Sequence, residues 1–443
     1  MRALFSAILV VLVGWTLFML PTSRDPVPAG KTIVTWATDD TPIRREQIAL
    51  FNKLNPDLDL RIDPTNNDPN KVVVQSIGGV GPDVFDMPGT TLKVFVDSGI
   101  ALDLTEELPK LGYDPLAEIW PAAKPLFAIE DRTYGVPANL DTLAIYYNRE
   151  VFGEMKLPYP SANPTWDEII AIGKKLTVKD ASGRTTRYGL LFWWDWRDFF
   201  AMCGARLFTD DGRKLTIDTP EALEAVNLMS SPIYVHKLAP TASESNSMAS
   251  VGGWGSGNES RFVGRRAAMV VGPRYFTGNF RRAPDLKVGV VKLPLSATGS
   301  TRLKGRTIAV NSRSPRRAAA LRFIKFVTDG GYNRLNNDLA DGVGPSLKYT
   351  EEPKFQFNPD FPEEKYNPIW RQSMLAAQPD ESSPYISNGQ VDEAVGFQLD
   401  LVNQGIKDSK AALAAAQAAG EKLLQENLAA NAALAKRYAE GSK

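Results

Sequence analysis

The sequence predicts an α/β fold with more than one domain, and two observations support this prediction. The chain has 443 residues, which is more than a single hydrophobic core usually organises, so we expect two or more domains. From Lys31 onward, short apolar runs typical of strands alternate with amphipathic segments of helical period. Strands that alternate with helices in this way usually form a mostly parallel sheet covered by helices.

The first alternation covers residues 32–90. The predicted strands are residues 32–36, 58–62 and 81–85, and the predicted helices begin at Pro42 and Pro69. Ligand sites in parallel sheets open at the carboxyl ends of the strands. The loops 37–40 and 86–90 are therefore expected to face one crevice.

The most specific pattern lies in residues 134–176, YGVPANLDTLAIYYNREVFGEMKLPYPSANPTWDEIIAIGKKL. Asp141 precedes the apolar run 142–147, which has the composition of a buried strand. A Pro-rich turn follows. Thr165 and Glu168 then show the T-x-x-E spacing of a capping box, which predicts a helix over residues 166–176.

This order of features resembles the extracellular solute-binding proteins of ABC importers, in the sugar-binding family 1 that includes maltose-binding protein. Two further segments are similar to the same family, GVGPDVF at 79–85 and FVGRRAAMVVGP at 262–273. The resemblance implies a two-lobe periplasmic-binding-protein fold of the α/β class. Each lobe would be a mixed, mostly parallel sheet flanked by helices, and a three-segment hinge would join the lobes. The implied N-terminal lobe is 31–140 plus 309–342, and the implied C-terminal lobe is 141–308 plus 343–443.

Composition argues against several other classes of protein. Lysine and arginine together number 51, as do aspartate and glutamate, so the net charge indicates no nucleic-acid binding. The single cysteine, Cys203, and the single histidine, His236, exclude an intramolecular disulfide and a Cys/His metal cluster. A Cys–His nucleophile is formally open, although a buried structural thiol is the favoured interpretation. A metal site built from carboxylates alone is also open, although the sequence has no D-x-D-x-D-G calcium loop. We predict no catalytic residue and no metal site, and the resemblance implies no cofactor.

Residues 1–30 are predicted to be a signal peptide or an N-terminal membrane anchor. Met1 and Arg2 supply positive charge, and residues 3–20 are apolar without a charged side chain. A run of that length is at the border between a signal-peptide core and a membrane span. A lipoprotein anchor is excluded because no cysteine follows, and a retained anchor is favoured. Either interpretation places the rest of the chain at the periplasmic or extracellular face.

Candidate binding residues follow from the chemistry of sugars, whose hydroxyls are bound by carboxylates and whose faces stack on aromatic rings. The resemblance implies that Asp141 is the first of these, because the family places an acidic ligand-binding residue at this point. Other candidates lie in the two loops at the strand ends. They are Asp86, Met87, Asp39 and Asp40.

The aromatic candidates are concentrated at one place. Three tryptophans within four residues, Trp193, Trp194 and Trp196, cannot all point into one core from a regular element, so at least one is expected to line a cleft. Trp254 lies in the Ser- and Gly-rich stretch 243–257, which is predicted to be a long loop. It is a candidate lid residue.

One position departs from the family pattern. After Gly272-Pro273 the family commonly places a tryptophan that stacks on the sugar, whereas this chain has Arg274 followed by Tyr275. Tyr275 is expected to take over the stacking. Arg274 is expected either to pair with Asp141 or another cleft acid, which is the favoured interpretation, or to bind an anionic group on the ligand.

The resemblance implies that the protein is a binding component and not an enzyme. It would bind a small carbohydrate between its lobes, close about the hinge, and deliver the ligand to ABC permease subunits in the membrane as a monomer. Two alternatives are a membrane-anchored sugar-sensing ectodomain and a secreted glycoside hydrolase.

Overall fold

Two five-stranded sheets, each covered by helices, form the two lobes of the chain. The computed structural model describes residues 29–63, 68–192, 195–247 and 256–440. In chain order its strands are β1 (Thr32–Ala37), β2 (Leu58–Asp63), β3 (Val84–Pro88), β4 (Ala128–Ile129), β5 (Arg132–Thr133), β6 (Val136–Asp141), β7 (Leu143–Asn148), β8 (Val178–Lys179), β9 (Thr185–Phe192), β10 (Ala267–Pro273), β11 (Val288–Lys292) and β12 (Lys304–Val310).

The α-helices cover both faces of the sheets. They span Pro42–Leu54, Pro69–Ile77, Leu92–Asp97, Glu107–Lys110, Pro115–Glu118, Lys124–Phe127, Arg149–Glu154, Trp166–Leu176, Trp196–Cys203, Pro220–Tyr234, Ala242–Ser247, Ser256–Val263, Tyr275–Phe280, Arg317–Thr328, Gly330–Leu339, Pro353–Gln356, Asn367–Leu375, Asn388–Val391, Phe397–Asn403, Ser409–Ala430 and Ala432–Glu440. Shorter 3₁₀ turns cover Gly89–Thr91, Pro121–Ala123 and Leu347–Thr350, and a π-helical turn covers Asp392–Gly396.

The first sheet has the strand order β2-β1-β3-β12-β6. β1 pairs in parallel with β2 and β3, whereas β12 runs antiparallel to both β3 and β6. The carboxyl ends of β1, β3 and β6 therefore lie at the same edge as the start of β12. We call this edge the cleft edge of the first lobe, and it confirms that the loops after β1 and β3 face the same side.

The second sheet has the order β11-β7-β10-β9-β8. The β9–β10 ladder is parallel, whereas β7–β10, β7–β11 and β8–β9 are antiparallel. Both sheets are mixed, as predicted, but neither is mostly parallel, because two of four ladders in the first sheet and one of four in the second are parallel. Parallel neighbours need a long crossover connection, and a tight turn joins β8 to β9 instead.

The chain crosses between the sheets three times. The first crossing is at Thr142, between β6 and β7, and the third is near Gly342, where Leu140 and Val343 exchange backbone hydrogen bonds of 2.9 and 2.7 Å. The second crossing comes before Lys304, because β12 pairs within the first sheet along its whole length. The predicted division at 308/309 is therefore too late in the chain.

The third boundary also differs from the prediction at 342/343. The segment after Val343 still packs on the first lobe, since Ser346 forms a β-bridge with Ile119 and the Trp120 indole donates to the Gly344 carbonyl at 3.4 Å. One apolar cluster extends from Trp36 in the first lobe through Leu140 to Tyr146 in the second lobe. The hinge between the lobes is thus filled by apolar side chains from both of them.

The three helices predicted from local sequence signals are confirmed, and two of them begin at Pro42 and Pro69. The hydroxyl of Thr165 accepts from the Glu168 backbone N–H at 3.2 Å and confirms the helix Trp166–Leu176. The other half of the predicted capping box differs, because the Glu168 carboxylate accepts from the Ser161 backbone and hydroxyl at 2.7 and 2.8 Å. The Ser- and Gly-rich stretch 243–257 is not wholly a loop, since helices occupy both of its ends.

Cys203 lies in the core of the second lobe, where burial raises the pKa of its thiol to about 12. A cysteine nucleophile needs a lowered pKa, so this environment favours the structural interpretation. Across the described ranges, no helix is both long and apolar enough to cross a membrane. Residues 1–28, which carry most of the predicted signal or anchor, lie outside those ranges.

We predict that Gly135→Ala destabilises the fold. Gly135 begins the G-V-P motif before β6, and an added Cβ would lie 2.4 Å from Thr307 Cγ2 and 2.7 Å from the Ile308 carbonyl oxygen of β12. Such overpacking should lower the free energy of unfolding by about 1–3 kcal/mol, measured by urea denaturation. Gly153→Ala is the matched control, because Gly153 is helical with no atom within 4 Å of its added Cβ. That control should be neutral or slightly stabilising, and equal effects of the two substitutions would contradict the steric explanation.

Candidate functional site

Asp141 lies where the two lobes meet. It ends β6 at the cleft edge of the first lobe and is 8% exposed. Its Oδ1 accepts a 2.8 Å hydrogen bond from the backbone N–H of Arg274, directly after β10 of the second lobe. Burial raises the pKa of the Asp141 carboxyl well above its usual range. The Arg274 N–H opposes this shift, and the nearby charge of Asp341 adds to it.

Asp341, at the third crossing, brings a second carboxylate to the same place. It forms an ion pair with Arg44, whose Nε donates to the Thr38 hydroxyl at 3.2 Å. Although burial acts in the opposite direction, the charges of Asp341 and Asp86 raise the pKa of Arg44. The Arg44 guanidinium thus offsets part of the negative charge that Asp341 and Asp86 bring to the hinge.

Asp86 is likewise a buried carboxylate that is paired with side chains of the protein. It is fully buried, accepts from the Thr38 hydroxyl at 2.6 Å, and forms an ion pair with Arg306. Its side chain is therefore enclosed by donors of the protein, and Met87 beside it is 3% exposed and packs in the core of the first lobe. Both residues lie within β3, which continues to Pro88 beyond the predicted strand end at Phe85, so the predicted loop starts later and both side chains are buried.

The two acids of the loop after β1 are more open. The Asp39 side chain is 37% exposed, and its Oδ2 lies 3.3 Å from Arg306 Nη1. Asp40 forms a bidentate pair with Arg45 at 2.7 and 2.8 Å on the surface. Of the two acids in this loop, Asp39 is therefore the one that contacts Arg306, the ion-pair partner of Asp86.

Tyr275 brings an aromatic ring to the same region from the second lobe. It begins the helix Tyr275–Phe280 and is partly buried. Burial, followed by the charges of Glu259, Asp141 and Asp341, raises the pKa of its phenol. Glu259 accepts two 3.1 Å hydrogen bonds from the Asn279 amide, and burial raises the pKa of this carboxyl to about 7.

The Arg274 side chain points away from Asp141 and Tyr275. Its guanidinium donates to the Gly342 carbonyl, to the Asn337 carbonyl at 3.0 Å and to Asn367 Oδ1 at 3.3 Å. The residue is 1% exposed. The contact with Asp141 is made by the backbone of Arg274, so the predicted pairing through the guanidinium is not what the structure shows. A ligand does not reach the guanidinium in this conformation.

The tryptophan cluster is described only in part. Trp193, Trp194 and Trp254 lie outside the described residues. Trp196 is 5% exposed, packs edge-on against Phe200 with ring centroids 5.2 Å apart, and lies under the Arg197 guanidinium at 4.7 Å. The structure therefore places Trp196 in the core of the second lobe.

A cluster of partly buried charges connects the two lobes beside Asp141. Lys304 begins β12 of the first lobe, and its Nζ lies 3.1 Å from Asp195 Oδ2 and 2.5 Å from Asp198 Oδ2 of the second lobe. Arg302 Nη1 contacts the same two carboxylates at 2.8 and 3.1 Å. Although burial acts in the opposite direction, the charges of Asp198 and Asp195 raise the pKa of Lys304. We call these four residues the interlobe charge cluster.

Sequence reasoning missed several of the residues that the fold brings together. They are Arg44, Glu259, Arg302, Lys304, Arg306 and Asp341. Asp341 directly precedes the GVGP segment at the third crossing, a position that could have indicated it. Within the parts of the chain that the structure describes, no group of three or more His, Cys, Asp and Glu is arranged to hold a metal ion.

The arrangement is suited to binding a polyhydroxylated molecule. Asp141, Asp341 and Glu259 offer carboxylate acceptors, and Tyr275 offers an aromatic ring among them. Charge-assisted hydrogen bonds of this kind are roughly twice as strong as neutral ones. Because Asp141 and Asp341 lie at chain crossings, a ligand there would contact both lobes.

Known proteins support this architecture. The sequence profile of the family described as bacterial extracellular solute-binding protein matches residues 35–333. A binding protein of Brucella abortus (strain 2308) is 25% identical over 350 residues, which are 74% of this chain and 81% of that protein. The arabinooligosaccharide-binding protein of Halalkalibacterium halodurans is 23% identical over 228 residues, which are 48% of each chain.

A solved structure shows the same fold. It is an ABC substrate-binding protein from Listeria monocytogenes in complex with cycloalternan, with a TM-score of 0.74, 21% identity, and coverage of 89% of this chain and 99% of that one. Both lobes of the present chain are thus accounted for by the known fold. Because the family profile matches more than half of its length, the chain belongs to the bacterial extracellular solute-binding protein family.

Proposed function

We propose that this protein is the extracytoplasmic carbohydrate-binding component of an ABC importer. The observation that carries the proposal is the group Asp141, Asp341, Glu259 and Tyr275, which the hinge assembles from both lobes. The Halalkalibacterium relative is an arabinooligosaccharide-binding protein and the Listeria structure is a complex with cycloalternan, which supports a carbohydrate ligand here. The ligand would favour the closed form only through contacts made with both lobes, and the closed form would be recognised by the permease.

The remaining parts of the proposal concern location and turnover. Residues 3–20 would hold the protein at the outer face of the membrane as a retained anchor. The protein would bind its ligand without cleaving it and would act as a monomer. A glycoside hydrolase would instead need two carboxylates about 5–10 Å apart across the scissile bond.

A carbohydrate library screened by thermal shift and followed by calorimetry tests the proposal. We expect stabilisation by one class of sugar, because a ligand that binds the folded state alone raises its stability. Chromatography of the same mixtures should show the sugar unchanged. Stabilisation by no carbohydrate would contradict the proposal, and release of shorter saccharides would favour the hydrolase. Signalling to a kinase or chemoreceptor in place of a permease would favour the sensor.

Asp141→Asn should weaken carbohydrate binding and yet stabilise the free protein. Loss of a charged acceptor should cost about 1.5–3 kcal/mol of binding, or about tenfold to a hundredfold in Kd. A carboxyl whose pKa is raised by burial opposes folding above that pKa, so wild-type stability should rise as pH falls through it. Asparagine removes this penalty and can still accept from the Arg274 N–H.

Calorimetry and urea denaturation at several pH values measure the two effects. Asp97→Asn is the matched control, since Asp97 is exposed and pairs with Lys93 on the surface. A loss of stability together with unchanged affinity in Asp141→Asn would show a purely structural carboxylate.

Lys304→Gln should open the free protein. The substitution removes the ammonium that connects β12 to Asp195 and Asp198, so contacts that hold the lobes together are lost. Small-angle scattering should show a larger radius of gyration than in the wild type, and saturating ligand should reduce the radius in both proteins. Lys93→Gln on the surface is the control. Identical scattering curves for Lys304→Gln and the wild type would argue that the cluster does not hold the lobes together.

The cleft should prefer a neutral sugar to the corresponding uronic acid. Asp141, Asp341 and Glu259 already place negative charge there, and like charges brought together cost several kcal/mol. We expect the uronic acid to bind at least about tenfold more weakly at neutral pH. Glu259, with a pKa of about 7, becomes protonated in more acidic solution, so the difference should narrow as pH falls. Preferential binding of the uronic acid would contradict this picture, which leaves Arg274 out of ligand recognition.

A further inference from the structure

An exposed apolar patch lies on the first lobe, away from the cleft. Val74 is 69% exposed, Ile77 is 52% exposed and Val80 is 76% exposed. Val74 and Ile77 are three residues apart on the outer face of their helix. The Val80 backbone donates to the Gln75 carbonyl at 3.0 Å, which folds the following turn back beside that helix.

The strand pairing places this patch at the edge opposite the cleft. Thr32 and Leu58, which begin β1 and β2, are register partners, and Asp83 just before β3 bonds to Thr35. The three parallel strands therefore run in one direction away from a common edge, which we call the basal edge, although β3 starts level with Trp36 near the end of β1. Val80 leads into β3 and lies there. Leu54, which is 59% exposed, ends the helix before β2 and lies at the same edge.

The basal edge also carries an excess of positive charge. Lys53 and Arg313 are exposed there, and Lys31 precedes β1. Two carboxylates at this edge are already neutralised, since Asp57 pairs with Arg322 at 2.6 Å and Asp83 with Arg316 at 3.0 Å. Apolar side chains surrounded by basic ones are the composition of surfaces that bind anionic lipid bilayers.

The course of the chain indicates why a membrane would be near. β1 begins at the basal edge, and the apolar run 3–20 is joined to it by residues 21–31. A fully extended segment of that length reaches at most about 40 Å. An anchor in the bilayer would therefore keep the start of β1, and with it the basal edge, within about 40 Å of the lipid.

We propose that the basal edge of the first lobe rests on the surface of the lipid bilayer. Val74, Ile77, Val80 and Leu54 enter the headgroup region, and Lys53 and Arg313 lie against anionic headgroups. Apolar residues occur on both sides of the edge, because Phe51 beside Leu54 packs on Phe323 whereas the helix of Val74 packs on Phe95. The flat surface of a bilayer could contact the exposed apolar residues on both sides of the sheet at once. The inference goes beyond carbohydrate binding and depends only on the retained anchor.

Site-specific labels in the full chain test this proposal. Ile77→Cys and Val80→Cys, each in a Cys203→Ala background, carry a nitrobenzoxadiazole label, and the proteins are reconstituted into phosphatidylcholine–phosphatidylglycerol vesicles. The controls are Val235→Cys and Ile406→Cys, which are 71% and 68% exposed on the second lobe. We expect a blue shift of emission and loss of iodide quenching for the labels at the basal edge alone.

Each other result overturns the proposal. Equal, water-like emission from all four labels would show that the basal edge remains in solvent. A shift that requires added permease would identify a protein surface as the partner. A second readout is charge, because Lys53→Glu with Arg313→Glu should reduce the blue shift in anionic vesicles and leave it unchanged in purely zwitterionic ones. These outcomes are independent of carbohydrate affinity, so failure here leaves the proposed function intact.

Discussion

The hydrogen bond from the Arg274 backbone to the Asp141 carboxylate is the contact on which the arrangement of the lobes depends. It joins the last residue of β6 in the first lobe to the first residue after β10 in the second lobe. The Arg274 guanidinium extends the connection to the third crossing through the Gly342 and Asn337 carbonyls. A single residue thus satisfies buried acceptors at two of the three places where the chain passes between lobes. Buried acceptors without partners would cost about 1–3 kcal/mol each, so this position is constrained by structure.

The carboxylates around the hinge differ in how completely protein donors pair them. This difference determines which carboxylate has capacity left for a ligand. Asp86 is enclosed by Thr38 and Arg306, whereas Asp141 receives a backbone N–H and lies near the charge of Asp341. A carboxylate whose donors are complete has little capacity for a ligand. One that is buried, under-neutralised and near a cleft gains from an added hydroxyl donor, and perturbed carboxyls in clefts are typical of functional sites.

The interlobe charge cluster is a second set of contacts that constrains how the two lobes are arranged, and it lies beside the proposed ligand-binding residues. Lys304 comes from the strand that returns the chain to the first lobe, and both of its carboxylate partners come from the second lobe. Separating Lys304 from the buried Asp198 would leave that carboxylate with fewer partners in a site of low solvent access, which is costly. The conformation described is therefore favoured by protein contacts as well as by any ligand, and ligand affinity would depend on the balance between the two.

The sequence by itself determined the local elements and the family. Apolar period, Pro at the first helical turn and the T-x-x-E spacing act over a few residues, so β1, the helix Pro42–Leu54 and the helix Trp166–Leu176 were predictable. The order of motifs around Asp141 identified the solute-binding family, and with it the carboxylate at the hinge. Only the tertiary structure decided which side chains face the cleft. Arg274 and Asp86 carry strong sequence signals yet point into the protein, because each lies beside buried acceptors or donors from residues far along the chain. Glu259, Lys304 and Asp341 carry weak signals, and strand pairing across distant segments brings them to the site. Burial and pairing are properties of that long-range packing, and no local spacing in the sequence encodes them.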